Sequence, residues 1–385
     1  MPSQFGSRFE GSWPSTVNEK LLHYQLVHAH YLERFSEAEV QRIENFLRKE
    51  LLPDVYGRLV AKLERISSRG YDTSISETKR WQDLHETLTS IVDDGVREIE
   101  KSNTAELRGL SKYEANWQRA ALERAIPSEV GINFVAPSPQ TLRALVTDRP
   151  IAGFGVGEWW DRLTVDTTNR IEREVRVGLA EGQSIPDIAR RIRGSADLAG
   201  SDGVFAITTR HAKAIARNAS VHVSNQARQE VLKKNRDVVE SEQWVATLDL
   251  RTCPTCGSRD GKTWPVGKGP MPPAHPPGPS GGACRCARVP VVKSLNDIMR
   301  DAGSRKRFKG WRDETRASMN GEVAGATTYS EWLSESVSSE ELVEALGSTR
   351  ARAFASGELT LDRMVDQSGR ALTLEQIAKR EGIDL

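Results

Sequence analysis

The sequence has almost no net charge and no long apolar run. Its 385 residues include 54 basic and 53 acidic side chains, a balance that argues against an overall electrostatic drive toward nucleic acid or an anionic membrane. No stretch approaches the roughly 18 apolar residues that a membrane-spanning helix requires. The opening residues, MPSQFGSRFEGSWPST, contain no apolar core of a secretory signal. We therefore expect a soluble protein made in the cytoplasm, with no membrane partner.

Cysteine is also scarce and is confined to one segment. The chain has 4 cysteines, all between Cys253 and Cys286. Between the two pairs, residues 265–283 form a stretch crowded with proline and glycine, which can build neither a helix nor a strand ladder. In a reducing cytoplasm, clustered cysteines favour metal binding or redox chemistry over structural disulfides.

Apolar residues recur at helical spacing along most of the chain. The pattern runs from about Leu21 to Arg124, with a capping box predicted at Ser36 and Glu39. Residues 125–140 have the composition of an irregular connector. Three further helices are predicted with the bounds Trp159–Ala180, Ser184–Gly194 and Thr208–Asn235.

The hydrophobic period changes to two only near the cysteines. The segments EQWVATLDL (242–250), GKTWPV (261–266) and RVPVV (288–292) are predicted as short strands, and Pro290 favours an edge position for the last. Farther on, Ser338 with Glu341, and Thr373 with Gln376, are predicted to cap short helices. We expect an α+β fold that is predominantly α-helical: a long helical body, a small β-containing zinc-knot subdomain and an α-rich tail.

The cysteine spacing predicts a structural zinc site. Cys253 and Cys256 are two residues apart, so both thiolates can face one ion from a tight turn. Cys284 and Cys286 form a second pair, and His275 lies between the pairs. Because zinc takes four ligands, Cys253, Cys256 and Cys284 are the first choices, and either His275 or Cys286 completes the set. Such an ion would supply order that packing alone cannot give to the loop.

Three other interpretations of the cysteines fit the sequence less well. A dithiol redox site would need a helix after CPTC, and GSRDGKTW predicts none. Four unrelated free cysteines are a second alternative. A catalytic metal would need an open position and a nearby base, whereas His275 is the only histidine after His222. The pattern therefore favours a clamp over a reaction centre.

These residues also resemble a known family. The segments ARNASVHVSNQARQEVLKKN, WVATLDLRTCPTCGSRDGKTWPV and AHPPGPSGGACRC resemble the phage Mu protein F-like family of minor head proteins, the head morphogenesis proteins of tailed bacteriophages. The chain departs from the family pattern in two ways: Asn218 stands where a threonine is usual, and His275 lies nine positions before Cys284 instead of three, which raises Cys286 as a substitute ligand. The matching residues are Trp244, Asp249, Cys253, Cys256, Asp260, Gly261, Cys284, Arg285 and Cys286.

The resemblance implies a non-enzymatic virion component that acts during head assembly. Its expected partners are portal or capsid subunits, with no small-molecule substrate, and its expected location is the phage head. A zinc-dependent nuclease or a host-directed effector carried in the virion is the alternative. The expected divisions are 1–150 (helical amino-terminal region), 151–240 (helical part of the head-protein domain), 241–294 (small β knot, zinc-binding) and 295–385 (carboxyl-terminal extension with short helices).

Two further groups of residues could either have a function or simply lie on the surface. SRKRFKGWR, residues 304–312, either contacts packaged DNA or is a solvated loop. The three histidines near the amino terminus are expected to lie on the surface rather than to bind metal. The residues of the predicted DNA contact are Arg305, Lys306, Arg307, Lys309 and Arg312, and the histidines are His23, His28 and His30.

Overall fold

The fold is seen in a computed structural model, which describes residues 17–67, 79–195, 197–198, 200–277, 284–294, 297–298, 315–324, 327–366 and 370–383. Within these ranges, no helix combines the length and the apolar character needed to cross a membrane. The described chain is mainly helical, with one three-stranded sheet and one short hairpin. The predicted α+β, predominantly α-helical class is confirmed.

In the described part of the chain, seven helices form the body that precedes the sheet. Their bounds are α1 (Val17–Phe46), α2 (Leu52–Ser67), α3 (Lys79–Ala125), α4 (Pro139–Asp148), α5 (Val156–Ala180), α6 (Ile185–Arg193) and α7 (Val204–Lys234). A π-helical turn at Leu47–Leu51 joins α1 to α2. It ends two residues before Pro53, whose ring lacks an N–H and crowds the preceding turn.

Helix α3 is the central element of the body and packs on α1, α5 and α7. Apolar residues on one side of α3, among them Leu88 and Val92, are fully buried against the neighbouring helices. Trp160 of α5 and Ile215 of α7 belong to the same core. The stripe of apolar residues that predicted a long helix near residues 208–235 thus faces the interior, and the prediction is confirmed.

Two predictions about α1 were wrong. The capping box at Ser36 and Glu39 does not exist, because α1 continues through both residues. Glu39 is instead buried and accepts a hydrogen bond from Asn103 Nδ2 at 3.2 Å. His28, expected on the surface, is buried, and its Nε2 lies 2.7 Å from Glu114 Oε1. In both cases packing against α3 outweighs the local pattern.

The sheet follows α7 directly. Strands β1 (Val239–Val245), β2 (Thr263–Pro265) and β3 (Ala287–Val292) are antiparallel in the order β2-β1-β3. Strand β3 is therefore an edge, as Pro290 predicted. Between β1 and β2 lies a short helix, α8 (Pro254–Arg259), at the position where the sequence predicted no helix.

The tail consists of a hairpin and short helices that share one apolar core. The hairpin pairs β4 (Thr315–Ser318) with β5 (Gly321–Ala324), and the helices are α9 (Tyr329–Glu335), α10 (Ser339–Leu346), α11 (Ser348–Ala355) and α12 (Leu374–Glu381). Both predicted capping boxes are present, at the start of α10 and of α12. The tail core comprises Leu248, Tyr329, Trp332, Leu333, Leu342, Leu346, Ala351, Ala353, Leu359, Leu361, Met364 and Ile377.

Candidate metal centre

The first cysteine pair is positioned by α8. Pro254 occupies the first turn, where its missing N–H is not needed. Cys253 is the N-cap residue, and its Sγ accepts a hydrogen bond from the backbone N–H of Cys256 at 3.3 Å. Because the helix turns between them, both sulfur atoms face the same side. Cys256 is 2% exposed, whereas Cys253 is half-buried.

The second cysteine pair is positioned by the start of β3. Cys284 and Cys286 are both buried directly before this strand. Asn225 of α7 holds the backbone there: its Oδ1 accepts from Arg288 N at 2.9 Å, and its Nδ2 donates to Cys286 O at 3.4 Å. Pairing of β3 with β1 carries the second cysteine pair to α8, and Cys256 Sγ lies 3.8 Å from Cys284 Sγ.

The structure brings all five sequence-predicted ligands together. His275 reaches the cluster from the proline-rich loop, and its Nε2 lies 2.9 Å from Cys253 Sγ. The donor atoms form two triads, within each of which all pairs lie within 4.8 Å. One triad is Cys253, Cys256 and His275, and the other is Cys256, Cys284 and Cys286. Cys256 belongs to both, so it is the geometric centre of the site.

The spacing of the sulfur atoms fits a soft tetrahedral ion. With Zn–S bonds of about 2.3 Å, two sulfur ligands of one zinc lie about 3.8 Å apart. The observed distance between Cys256 Sγ and Cys284 Sγ has this value. A zinc-bound nitrogen and sulfur would be about 3.6 Å apart, and His275 Nε2 is closer than this to Cys253 Sγ. In this geometry His275 Nε2 is at hydrogen-bond distance from Cys253 Sγ.

Hydrogen bonds within the cluster lower the pKa of some thiols and raise the pKa of others. The Cys256 thiol and then the His275 imidazole lower the pKa of Cys253 to about 5. The pKa of Cys256 is raised because its proton is held by Cys253 and Cys284. The pKa of Cys284 is lowered, first by the hydrogen bond from Cys256. Thiolates, the form that binds soft metals, are therefore favoured at Cys253 and Cys284.

An ion pair closes the outer side of the centre. Arg285, between the two cysteines of the second pair, donates from Nη1 and Nη2 to Asp249 at 2.5 and 2.7 Å. Burial opposes ionisation of Asp249, but these charge-assisted bonds outweigh burial and hold its pKa below the ordinary value. The pair ties the backbone before α8 to the backbone before β3.

A second network, which the sequence did not reveal, holds the proline-rich loop. Arg288 is 1% exposed and donates to the carbonyl oxygens of Pro270 at 2.6 Å and of Lys268 at 3.2 Å. The buried Glu242 accepts from the backbone N–H of Gly267 at 2.9 Å. Part of this loop is thus held by hydrogen bonds from residues that are not candidate metal ligands. The sequence signal that could have predicted this network is a charged residue at an inward-facing position in each of two paired strands, Glu242 in β1 and Arg288 in β3.

Glu242 and Arg288 also compensate each other's charge. Glu242 Oε2 lies 3.6 Å from Arg288 Nη2 and accepts a further hydrogen bond from Gln229 Nε2 at 3.1 Å. Burial raises the pKa of Glu242 and lowers the pKa of Arg288. Because each charge would be costly alone, the two side chains are interdependent.

The predicted DNA-contact residues lie outside the described part of the chain. These are Arg305, Lys306, Arg307, Lys309 and Arg312. Their role stays a prediction.

Comparison with known proteins places the centre in a family. Residues 169–289 match the family model described as Phage Mu protein F like protein. This region is similar to that family. The match begins within α5 and ends within β3, so it includes both cysteine pairs and the loop between them. No match was found among the curated proteins or among the solved structures.

The family supports a coarse statement of function. A phage Mu protein F-like region suggests a phage head morphogenesis protein, and it implies a location in the virion. The same family is structural, which suggests a protein that is not an enzyme. The matched residues cover the candidate metal centre and the two helices, α7 and α8, that position its cysteines.

Proposed function

We propose that the protein is a minor structural component of a tailed-phage head that docks to portal or capsid subunits during assembly. The observation that carries this proposal is the family match over residues 169–289. The long helical body supports it, because rigid packed helices present fixed surfaces to a large partner. No described residue is required to act on a substrate in this role.

We further propose that the centre binds one structural zinc ion. The four cysteines or three of them with His275 would hold it, and the ion would supply a crosslink between the backbone at α8 and the backbone before β3. The 3.8 Å separation of Cys256 Sγ and Cys284 Sγ supports this assignment. Of the two candidates for the fourth position we propose Cys286, because His275 Nε2 lies 2.9 Å from Cys253 Sγ, a hydrogen-bond distance that is shorter than two ligands of one zinc would have.

Spectroscopy of the cobalt-substituted protein tests the ligand set. Cobalt bound by four thiolates and cobalt bound by three thiolates and an imidazole differ in their visible bands and in their thiolate charge-transfer intensity. We expect the four-thiolate spectrum, nearly unchanged in His275→Ala and weakened by about a quarter in Cys286→Ser. The opposite pattern would assign His275 as the fourth ligand.

The assembly role is tested in heads of the encoding phage. We expect mass spectrometry of purified heads to detect this chain in few copies, and chemical crosslinking to connect it to portal or major capsid subunits. Heads that lack the chain, or crosslinks to neither partner, would contradict the proposal.

The nuclease alternative is tested on the purified protein. The engagement of His275 Nε2 with Cys253 Sγ supports a structural position for this histidine over one facing a substrate. We expect no cleavage of plasmid DNA with added zinc, magnesium or manganese. Metal-dependent cleavage that is abolished in His275→Ala would establish the alternative.

A further inference from the structure

Helix α8 lies between two packed clusters. On one side, Cys256 faces the other thiols. On the other side, Gly257 lies directly under the tail: a Cβ atom added at Gly257 would come within 2.4 Å of Tyr329 Cδ1 and within 3.3 Å of Leu361 Cδ1. Adjacent residues of one short helix therefore contact the metal centre and the tail core.

Tyr329 fastens the tail to both ends of the segment that carries α8. Its Oη donates to the carbonyl oxygens of Asp249 and Thr252, each at 3.2 Å. Its backbone N–H donates to Asp260 Oδ2 at 2.8 Å, and Asp260 Oδ1 accepts from Ala246 N at 2.7 Å. Tyr329 is fully buried in this position. The tail thus depends on the shape of residues 249–260.

That shape is not stable by itself. Helix α8 has only six residues, far fewer than the roughly 12 to 15 at which an isolated helix becomes even marginally stable in water. Its conformation must come from its two sides, the sulfur cluster and the tail core. An ion bound by Cys253 and Cys256 would fix the two residues at the start of this helix in one geometry.

We propose that metal binding at the cysteine centre controls docking of the carboxyl-terminal tail, through its residues 327–366, on the phage Mu protein F-like region. This inference rests on the proposed zinc site. Filling the site fixes α8, and α8 provides the surface on which Tyr329 and Leu361 pack. The core of the helical body around α3 contains none of these residues and does not depend on the ion.

Hydrogen exchange on the full-length protein tests the proposal. The metal is removed with a chelator, and its loss is verified by elemental analysis. We expect the backbone amides of α9 and α10 to exchange at least tenfold faster after removal, while the amides of α3 keep their protection. Restoring zinc should restore the protection of α9 and α10.

A glycine substitution separates docking from metal binding. In Gly257→Ala, the added methyl group collides with Tyr329, so we expect faster exchange in α9 and α10 with the metal content unchanged. Gly109→Ala in α3 is the matched control, because a Cβ atom there meets nothing within 4 Å. Cys256→Ser should produce both effects, loss of metal and release of the tail.

The outcomes distinguish the coupling from the zinc site itself. Protein that carries no metal when purified without chelator and does not bind added zinc overturns both proposals. Protein that binds metal, but whose tail keeps its protection after metal removal, overturns only the coupling. Unchanged protection in Gly257→Ala would likewise overturn it, because the tail would then be held by contacts other than those with α8.

Discussion

The carboxylate of Glu114 lies in the core between three helices. It accepts from Arg228 Nη1 at 3.0 Å and contacts His28 Nε2 at 2.7 Å, and all three side chains are buried. Trp117 stacks on the imidazole with a centroid separation of 3.8 Å. A buried charge that loses its partner costs several kcal/mol. The buried contacts among Glu114, Arg228 and His28 therefore make the packing of α1, α3 and α7 interdependent.

Replacing Glu114 by glutamine should destabilise the helical body strongly. Glu114→Gln keeps the shape but leaves the buried Arg228 without a counter-charge, and we expect the free energy of unfolding to fall by about 3–5 kcal/mol. Urea unfolding followed by circular dichroism measures this. The control on the same helix is Glu123→Gln, which removes an exposed pair with Arg119 and should cost less than about 1 kcal/mol. Equal effects of the two would contradict the account.

A buried histidine predicts a specific sensitivity to acid. His222 on α7 is 3% exposed, its Nε2 has no hydrogen-bond partner among the described residues, and burial lowers its pKa to about 4. Between the ordinary pKa of about 6.5 and this value, the unfolded chain binds a proton that the folded chain does not. Stability is therefore lost as the pH falls through this window.

The size of this effect can be measured by substitution. Between pH 7 and pH 5, His222 should account for about 2 kcal/mol of the loss in the free energy of unfolding. The variant His222→Leu should lack that contribution, so its urea midpoint should change less between the two pH values. Identical pH dependence in the parent and the variant would show that folding does not lower the pKa of His222.

At the scale of helices and strands, close packing is set by glycines as well as by apolar side chains. Gly178 of α5 faces α6, and a Cβ atom there would lie 2.5 Å from Ile188 Cγ1. Gly57 of α2 is exposed and would meet nothing within 4 Å. Replacement by alanine should therefore destabilise the protein at Gly178 and stabilise it at Gly57.

Alanine at these glycines tests the helix packing. Gly178→Ala should push α6 away from α5 and destabilise the protein by about 1–3 kcal/mol. Gly57→Ala should stabilise it by about 0.5–1 kcal/mol, since alanine is the better helix former. Thermal unfolding of both variants gives the comparison. A stabilising Gly178→Ala would contradict the observed contact between the two helices.

The sequence predicted elements well where local signals and burial agree. The caps at Ser184, Ser338 and Thr373 are all present, because a hydroxyl side chain next to a helical run needs only its own backbone. At Ser36 the same signal was overridden by packing along α3. Helix α8 was missed because six residues give no hydrophobic period, and its order depends on contacts distant in sequence.

At the scale of the whole molecule, the metal centre lies where the family region meets the tail. The clustering of the four cysteines and His275 was predictable because cysteines are few and zinc sites have characteristic spacing. The Arg288 and Glu242 network was not, because it joins residues of two strands to a loop whose path the sequence does not specify. The dependence of the tail on Gly257 likewise appears only in three dimensions.

Loss of one central ligand should affect the molecule unevenly. Because Cys256 belongs to both triads, Cys256→Ser should abolish metal binding and lower the unfolding temperature of the sheet and the tail. The helices around α3 should keep their circular dichroism signal, so the unfolding profile should split into two transitions. A single transition at the parental temperature would contradict a structural role for the centre.

The most direct measurement is the metal content of the protein purified without chelator, by elemental analysis combined with native mass spectrometry. We predict about one zinc ion per chain, lost in Cys256→Ser and retained in Gly257→Ala. Parental protein that carries no metal and does not bind added zinc would contradict the central claim that a sulfur-bound ion holds this part of the fold together.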